Sequence, residues 1–188
     1  MYRYSYRITF ILIVILTISC GSPKSKKTHS PDFASGLRLS TTEPTVVFFI
    51  SLDCPICQKY QGSYKPLLQQ FDKKADFLFI VEGDVKDEEV RTFCKYDSIP
   101  TQMMLIDDNG FFAKSLGATV TPQVKIYSSA GIGKYAYSGA IDDRFPNLGS
   151  QRTEASINYV EKALISLLNH VPVEIPETTP VGCFIEPQ

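Results

Sequence analysis

Histidine and net charge are both scarce in this sequence, and each scarcity excludes a class of function. The chain of 188 residues contains two histidines and has a formal net charge of −1. A chain without an excess of positive charge is not expected to bind nucleic acid. The motif Cys54-Pro55-Ile56-Cys57 is followed by Gln58 and not by histidine. Covalent haem attachment is therefore excluded, because it requires histidine directly after the second cysteine.

Metal ligands are few as well. The sequence has no second CxxC motif and no paired histidines, which disfavours a structural zinc site. Four cysteines could in principle supply thiolates to zinc: Cys54, Cys57, Cys94 and Cys183. We therefore expect no metal, and nothing in the sequence implies a nucleotide or a flavin. A copper- or zinc-binding chaperone that uses the same thiols stays open as an alternative function.

The N-terminal apolar run is too short to span a bilayer comfortably, since a spanning helix needs about 20 apolar residues. It covers Ile8–Ile18 and follows the positive residues Arg3 and Arg7. Small residues around Cys20 complete the pattern of a secretory signal. The segment resembles a bacterial lipoprotein signal, in which Cys20 would become the lipidated first residue, although Thr17 stands where leucine is usual.

This reading predicts three parts: a signal peptide over residues 1–20, a flexible tether over 21–38 and one folded domain over 39–188. A signal cleaved elsewhere and an uncleaved anchor remain alternatives to lipidation. All three predict an exported protein that faces the periplasm, and the lipoprotein reading predicts contact with the membrane through an N-terminal lipid.

The reactive centre is predicted at the CxxC motif. The β-branched and aromatic run Val46–Ile50 predicts a buried strand, and Pro55 favours a helix that begins directly after Cys54. Backbone N–H groups and the helix dipole stabilise a thiolate at that position. Cys57 lies one turn further on the same face, close enough to form a disulfide with Cys54. The alternative is a pair of buried, unreactive cysteines.

The middle of the chain predicts alternating strands and helices. We expect one helix from Pro55 to Phe71 that is kinked but not broken at Pro66. Strands are predicted at 77–81 and 102–106, and helices at 85–96 and 111–116. In the helix over 85–96, Cys94 falls at the spacing of the apolar residues, which predicts a buried structural cysteine.

The remaining part of the chain predicts a hairpin, a helix and a tail. Thr121-Pro122 opens a strand that reaches Tyr127, a turn is predicted at 129–133, and a strand returns over 134–139. Apolar residues from Ile157 to Val171 recur at helical spacing and predict a long helix capped near Thr153. The tail that follows is long enough to bring Cys183 anywhere on the domain. Cys183 is either a third reactive thiol or a small apolar contact in a tail strand.

This order of elements resembles the thioredoxin-like superfamily, and in particular its redoxin branch, over roughly Leu39 to the C-terminus. The residues that carry the resemblance are Phe48 to Cys57, Val120 to Val124, Tyr137 to Asp143 and Thr179 to Ile185. The resemblance implies an α/β fold with a central mixed sheet flanked by helices and an insertion before the cis-proline strand. By the same resemblance Pro122 is that cis-proline, and Thr121 and Pro122 hold a bound substrate strand.

The resemblance implies a thiol–disulfide oxidoreductase of the bacterial cell envelope. Cys54 would attack a protein disulfide, Cys57 would resolve the mixed disulfide, and an unidentified redox partner would recharge the dithiol; we expect a monomer. Asp53 replaces the tryptophan of thioredoxin before the first cysteine, and its negative charge is expected to oppose a thiolate at Cys54 and to disfavour a strongly oxidising dithiol.

Two further functions remain open. One is a peroxiredoxin-like peroxidase, in which Cys54 is oxidised and Cys57 or Cys183 resolves it. Ser51 matches the serine or threonine of the peroxidatic motif, but Val47 stands where that motif has proline. The other is a structural lipoprotein with an inert disulfide.

Overall fold

The computed structural model describes residues 42–129 and 135–186, and its centre is the strand that precedes the CxxC motif. The strands are β1 Thr45–Ile50, β2 Asp76–Glu82, β3 Met104–Asp107, β4 Val120–Thr121, β5 Gln123–Tyr127, β6 Tyr135–Gly139 and β7 Cys183–Phe184. The helices are α1 Pro55–Lys59, α2 Tyr64–Gln70, α3 Asp87–Asp97, α4 Phe111–Leu116 and α5 Tyr159–Leu168.

Five of the strands form one mixed sheet in the order β3-β2-β1-β5-β6. β1 pairs parallel with β2 and antiparallel with β5, so it lies in the middle of the sheet. β2 continues in parallel to β3, and β5 pairs antiparallel with β6. Every residue of β1 is buried, as the run of β-branched and aromatic residues predicted. The predicted mixed sheet flanked by helices is confirmed.

Alternate residues of β1 face the two sides of the sheet, because successive side chains in a strand point in opposite directions. Phe48 packs on the side that carries α1, α2, α3 and α5, where its ring stacks on Phe79 with the centroids 4.8 Å apart. The Tyr64 ring of α2 meets the Phe48 ring edge-on at 5.4 Å. Phe49 packs on the opposite side together with Ala113 of α4. These two layers hold the carboxyl end of β1, and therefore the CxxC motif, in a fixed position.

The prediction of a single kinked helix after the CxxC motif is wrong, because the chain forms two helices separated by a turn. The break lies at Gly62, which has a φ of 89° and whose N–H donates to Asp97 Oδ1 at 2.7 Å. Pro66 is the third residue of α2, where a backbone N–H has no partner within the helix in any case. Proline is therefore accommodated in a first turn and does not kink a continuous helix.

The predicted long helix capped near Thr153 is also wrong in its extent. The helix α5 begins after Asn158 and ends at Leu168. The residues before it are held in a loop instead, because the backbone N–H groups of Ser156 and Ile157 donate to Asp143 Oδ1 at 2.7 and 2.9 Å. These N–H groups therefore bind the Asp143 carboxylate at the end of the hairpin, and not the backbone carbonyls that they would bind within a helix.

Several predictions lie outside the described residues: the signal peptide over 1–20, the tether over 21–38, the lipidation site Cys20 and most of the hairpin turn over 129–133. Within residues 42–129 and 135–186, none of the helices has both the length and the apolar character needed to cross a membrane.

Candidate dithiol site

Cys54 lies where β1 passes into α1. Its N–H donates to the carbonyl of Ser51 at 3.3 Å, which closes a short turn, and its own carbonyl accepts the N–H of Gln58 at 3.0 Å. Pro55 is the first residue of the helix, so Cys54 is its N-terminal capping residue. The Gln58 side chain donates to the Leu52 carbonyl at 2.9 Å and ties the turn to the helix. The predicted start of the helix at Pro55 is confirmed.

Cys57 is the more enclosed of the two thiols, with 1% of its surface exposed. The backbone N–H of Ser51 donates to Cys57 Sγ at 3.5 Å. Burial is the largest cause that raises the pKa of Cys57, and the hydrogen bond to Cys54 raises it further because it favours the protonated thiol. Cys57 is therefore a protonated donor at neutral pH.

The thiol of Cys54 has the opposite character. A hydrogen bond from the Cys57 side chain is the largest cause that lowers the pKa of Cys54 to about 4. Burial opposes this shift, while the Cys183 side chain and the backbone N–H groups of Cys57 and Cys183 add to it. A thiolate with several hydrogen-bond donors around it is the reactive form of cysteine.

Asp53 is expected to oppose the Cys54 thiolate, but its charge is not among the causes that shift the Cys54 pKa. The side chain of Asp53 is exposed, so water screens its charge. The hydrogen bonds to sulfur act at contact distance and determine the net shift of the Cys54 pKa.

Thr121 and Pro122 lie directly against this pair. The peptide bond between them is cis, as the resemblance implied. Cys54 Sγ lies 3.1 Å from the carbonyl oxygen of Thr121, to which it donates when protonated. The Thr121 side chain also forms a hydrogen bond that lowers the pKa of Cys57 slightly against the larger effect of burial. The structure therefore brings together all four residues predicted as catalytic or substrate-binding: Cys54, Cys57, Thr121 and Pro122.

Gln123 supports this arrangement and was missed by the sequence analysis. It is buried, and its side-chain carbonyl accepts the N–H of Thr119 at 2.9 Å and that of Val120 at 3.5 Å. These bonds hold the chain that leads into the cis peptide bond. The sequence carries no signal for this role, because a glutamine in a short strand is more often exposed than buried.

Cys183 joins the site from the far end of the chain. It lies in β7, which pairs antiparallel with β4 so that Cys183 is opposite Thr121. The predicted tail strand is present, and it places Cys183 opposite Thr121, whose carbonyl oxygen lies 3.1 Å from Cys54 Sγ. Burial, the interaction with the Cys54 side chain and the charge of the Cys54 thiolate together raise the pKa of Cys183 to about 11, with burial the largest cause.

Cys94 lies outside this group. It is buried on α3 beside Val90 and Phe93, as its spacing predicted, and burial raises its pKa. Cys54, Cys57, Cys94 and Cys183 are all free cysteines in this structure. In the part of the chain that is described, no cluster of three or more His, Cys, Asp or Glu is arranged to hold a metal ion.

Comparison with known proteins supports the fold. No protein-family model matches the chain, and no curated protein gives a significant match. An uncharacterized conserved protein from Geobacillus kaustophilus is 25% identical, with a TM-score of 0.67 and coverage of 78% of both chains. A secreted disulfide oxidoreductase of Mycobacterium tuberculosis is 16% identical, with a TM-score of 0.51, and the match covers 70% of this chain and 87% of that one.

A third solved structure, described as a thioredoxin-like protein in the oxidized form, is 12% identical with a TM-score of 0.52. That match covers 69% of this chain and 80% of the other. At these identities the likeness concerns the fold alone. Together with the strand order and the site geometry, it shows that the chain has the thioredoxin-like fold.

Proposed function

We propose that this protein is a thiol–disulfide oxidoreductase that exchanges disulfides with protein substrates through Cys54 and Cys57. The observation that carries the proposal is the placement of two thiols at the start of α1: Cys54 caps the helix with its Sγ 3.1 Å from the Thr121 carbonyl, and Cys57 lies buried one turn on, where its Sγ accepts the Ser51 N–H at 3.5 Å. The pKa of Cys54 is lowered to about 4 and that of Cys57 is raised, mainly by burial. A thiolate beside a protonated thiol is the pair that disulfide exchange requires, one to attack and one to resolve.

Reduction of a substrate would proceed in two exchanges. The Cys54 thiolate attacks one sulfur of the substrate disulfide, so that a bond from Cys54 Sγ to the substrate forms and the substrate S–S bond breaks. The released substrate sulfur takes a proton from water. Cys57 then loses its proton and attacks Cys54 Sγ, which forms the Cys54–Cys57 disulfide and releases the second substrate sulfur with that proton. The substrate gains two electrons and two protons, and oxidation of a substrate dithiol is the same path in reverse.

Thr121 and Pro122 support recognition of a polypeptide. The carbonyl oxygen of Thr121 lies 3.1 Å from Cys54 Sγ, so an extended substrate segment that took the place of β7 beside β4 would lie next to the attacking sulfur. Backbone pairing of this kind favours a peptide in extended conformation and depends little on the peptide's side chains. After each cycle a second redox protein with a dithiol or a disulfide must restore the Cys54–Cys57 pair.

The cell envelope is the proposed location. The apolar run before Cys20 and the polar residues after it support export with a lipid at Cys20. Disulfides form and persist in that compartment, so protein substrates for exchange are present there. The protein is proposed to act as a monomer tethered to the membrane.

The test is reduction of insulin by the reduced full-length protein, followed as loss of the insulin disulfides. We expect Cys54→Ser to lower the rate at least about 100-fold, because the attacking sulfur is gone. Cys57→Ser should instead accumulate a mixed disulfide between Cys54 and insulin, because nothing resolves it. Cys94→Ser is the matched control, since it removes a buried thiol outside the site and should leave the rate unchanged. Activity that survives Cys54→Ser would refute the proposal.

The peroxidase alternative is supported by one observation, the presence of a third thiol beside Cys54. A peroxidase would oxidise Cys54 to a sulfenic acid, and a neighbouring thiol would condense with it to a disulfide and release water. Consumption of hydrogen peroxide by the reduced protein at a rate far above that of free cysteine, with no reduction of insulin, would favour this alternative.

A further inference from the structure

The C-terminal tail runs along two separate strands of the domain. We call residues 172–186 the strap. In its first half, the carbonyl of Pro176 accepts the N–H of Ser138 and the N–H of Thr178 donates to the carbonyl of Ser138, both at 3.0 Å. Gly139 packs so closely on Thr178 that a Cβ at position 139 would overlap it. The strap is therefore fastened to β6 before it reaches the dithiol.

The second half of the strap pairs with the strand that leads into the cis peptide bond. Phe184 is opposite Val120, and the N–H of Ile185 donates to the carbonyl of Thr119 at 3.0 Å. Gly182 lies so near the carbonyl of Thr121 that a Cβ at position 182 would collide with it. Close approach of two backbones explains glycine at this position.

The alternation of side chains along β7 directs Cys183 inward. Phe184 is 82% exposed, so its neighbour Cys183 points to the opposite side of the strand. There Cys183 lies opposite Thr121, whose carbonyl oxygen is 3.1 Å from Cys54 Sγ, and the Cys183 thiol and N–H lower the pKa of Cys54. Cys54 itself is only 2% exposed. The strap thus covers the dithiol with an extended segment that carries a cysteine.

We propose that the strap is an internal substrate, in which Cys183 forms a disulfide with Cys54 and competes with external protein substrates for the edge of β4. This inference rests on the proposed function, because it assigns to the strap the place that an external strand would take beside Thr121. It makes Cys183 a third redox-active thiol of the same site.

The exchange needs no added oxidant once the protein is oxidised. The Cys183 thiolate attacks Cys54 Sγ of the Cys54–Cys57 disulfide, a Cys183–Cys54 bond forms, and the Cys54–Cys57 bond breaks. The electron pair leaves on Cys57 Sγ, which takes up the proton that Cys183 has lost. One disulfide replaces another, so the oxidation state of the protein is unchanged.

Oxidation of the dithiol also prepares Cys183 for this attack. Two of the causes that raise its pKa are the hydrogen bond with Cys54 and the charge of the Cys54 thiolate. Both disappear when Cys54 is held in a disulfide, and the remaining cause is burial. The reactive thiolate of Cys183 is therefore more populated in the oxidised protein than in the reduced one.

The test uses the full-length Cys57→Ser variant, which leaves Cys54 with Cys183 as its neighbouring thiol. The reduced variant is treated with glutathione disulfide, and its disulfides are mapped by mass spectrometry without reduction. Glutathione first adds to Cys54, and Cys183 then displaces it. At about 1 mM glutathione we expect the Cys54–Cys183 disulfide to exceed the Cys54–glutathione adduct about tenfold, because an oriented neighbouring thiol acts at a high effective concentration.

Gly182→Ala in the same Cys57→Ser background is the matched variant. It keeps all the thiols but forces the strap away from Thr121, so the ratio should fall at least about tenfold, while Cys94→Ser should not change it. The wild-type protein, oxidised with one equivalent of glutathione disulfide, should contain both the Cys54–Cys57 and the Cys54–Cys183 disulfides.

The outcomes separate this inference from the proposed function. If Cys54 of the Cys57→Ser variant takes up glutathione and no Cys54–Cys183 disulfide appears, the strap is not an internal substrate, although the dithiol is still reactive. If Gly182→Ala folds and leaves the ratio unchanged, the paired strand is not what directs the reaction and the inference also fails. If Cys54 takes up no glutathione at all, the proposed function fails with it.

Discussion

At the scale of single residues, the site is defined by three thiols with different proton affinities. Burial alone would raise the pKa of every one of them. In Cys54 the effect of burial is outweighed by hydrogen bonds from the other two thiols, so its pKa is lowered. The same contacts raise the pKa values of Cys57 and Cys183, because each of these thiols must keep its proton to donate to Cys54. The reactivity of Cys54 therefore depends on Cys57 and Cys183, the two thiols that are proposed to attack Cys54 Sγ in later steps.

The pH dependence of labelling at Cys54 follows from its pKa of about 4. Above that pH Cys54 is a thiolate, so its rate of alkylation by iodoacetamide should be nearly constant from pH 8 to pH 6 and should fall as the pH drops through about 4. Cys94 has a raised pKa, and its labelling should still be rising at pH 8. Peptide mass spectrometry on the reduced full-length protein separates the two sites.

The Cys57→Ala variant is the control for this prediction. It removes the hydrogen bond that lowers the Cys54 pKa most, so the fall in labelling should move toward the ordinary cysteine value of about 8.5. Labelling of Cys54 in the wild-type protein that already declines between pH 8 and pH 6 would contradict the lowered pKa.

At the scale of elements, the strap connects the edge of the sheet to the reactive site. Thr178 is its best-anchored residue: its hydroxyl lies 2.7 Å from the hydroxyl of Tyr137 and accepts the N–H of Ala140 at 2.9 Å. The short pairing of β7 with β4 follows only five residues later. An element this short gains little from its own two residues, so its position depends on the anchor before it.

Replacing Thr178 with valine tests the anchor. The change keeps the shape of the side chain but leaves the N–H of Ala140 without its acceptor, so we expect the free energy of unfolding to fall by about 1–2 kcal/mol. Thr179→Val is the matched control at an exposed neighbour and should change stability by less than about 0.5 kcal/mol. Urea unfolding of the reduced proteins measures both. Equal effects of the two substitutions would show that the Thr178 hydroxyl does not anchor the strap.

At the scale of the whole molecule, the proposed activity depends on where the chain is held. If the proposed lipid anchor at Cys20 holds the chain, substrates of the dithiol are envelope proteins close to the membrane. Such an anchor raises the local concentration of the dithiol near its substrates.

Lipidation of Cys20 is tested by cell fractionation. When the full chain is expressed in a bacterial host, we expect the wild-type protein in the membrane fraction and the Cys20→Ala variant largely in the soluble envelope fraction, with Cys94→Ala as the control that stays with the membrane. Two lipid chains suffice for stable anchoring. Cys20→Ala protein that remains in the membrane fraction would favour an uncleaved apolar anchor.

The sequence by itself determined the elements whose cause is local. The buried strand β1, the helix that begins at Pro55 and the burial of Cys94 all follow from residue types and spacing, and the structure confirms them. The extent of the helices was less predictable: Gly62 breaks one because its N–H bonds to Asp97, and Asp143 shortens another by binding the loop before it. Each of these contacts joins residues that are far apart in the sequence, so a local sequence pattern does not predict it.

Tertiary structure alone decided which contacts set the proton affinity of each thiol. The sequence predicts a thiolate at Cys54 from its place at the helix start, with Asp53 opposing it, but the hydrogen bonds that lower the Cys54 pKa come from Cys57 and Cys183. The same holds for the strap, since residue spacing allowed Cys183 to reach any part of the domain. Only the pairing of β7 with β4 brings it to Cys54. A thiol's proton affinity depends on the atoms that touch its sulfur, and contacts between residues far apart in the chain exist only after folding.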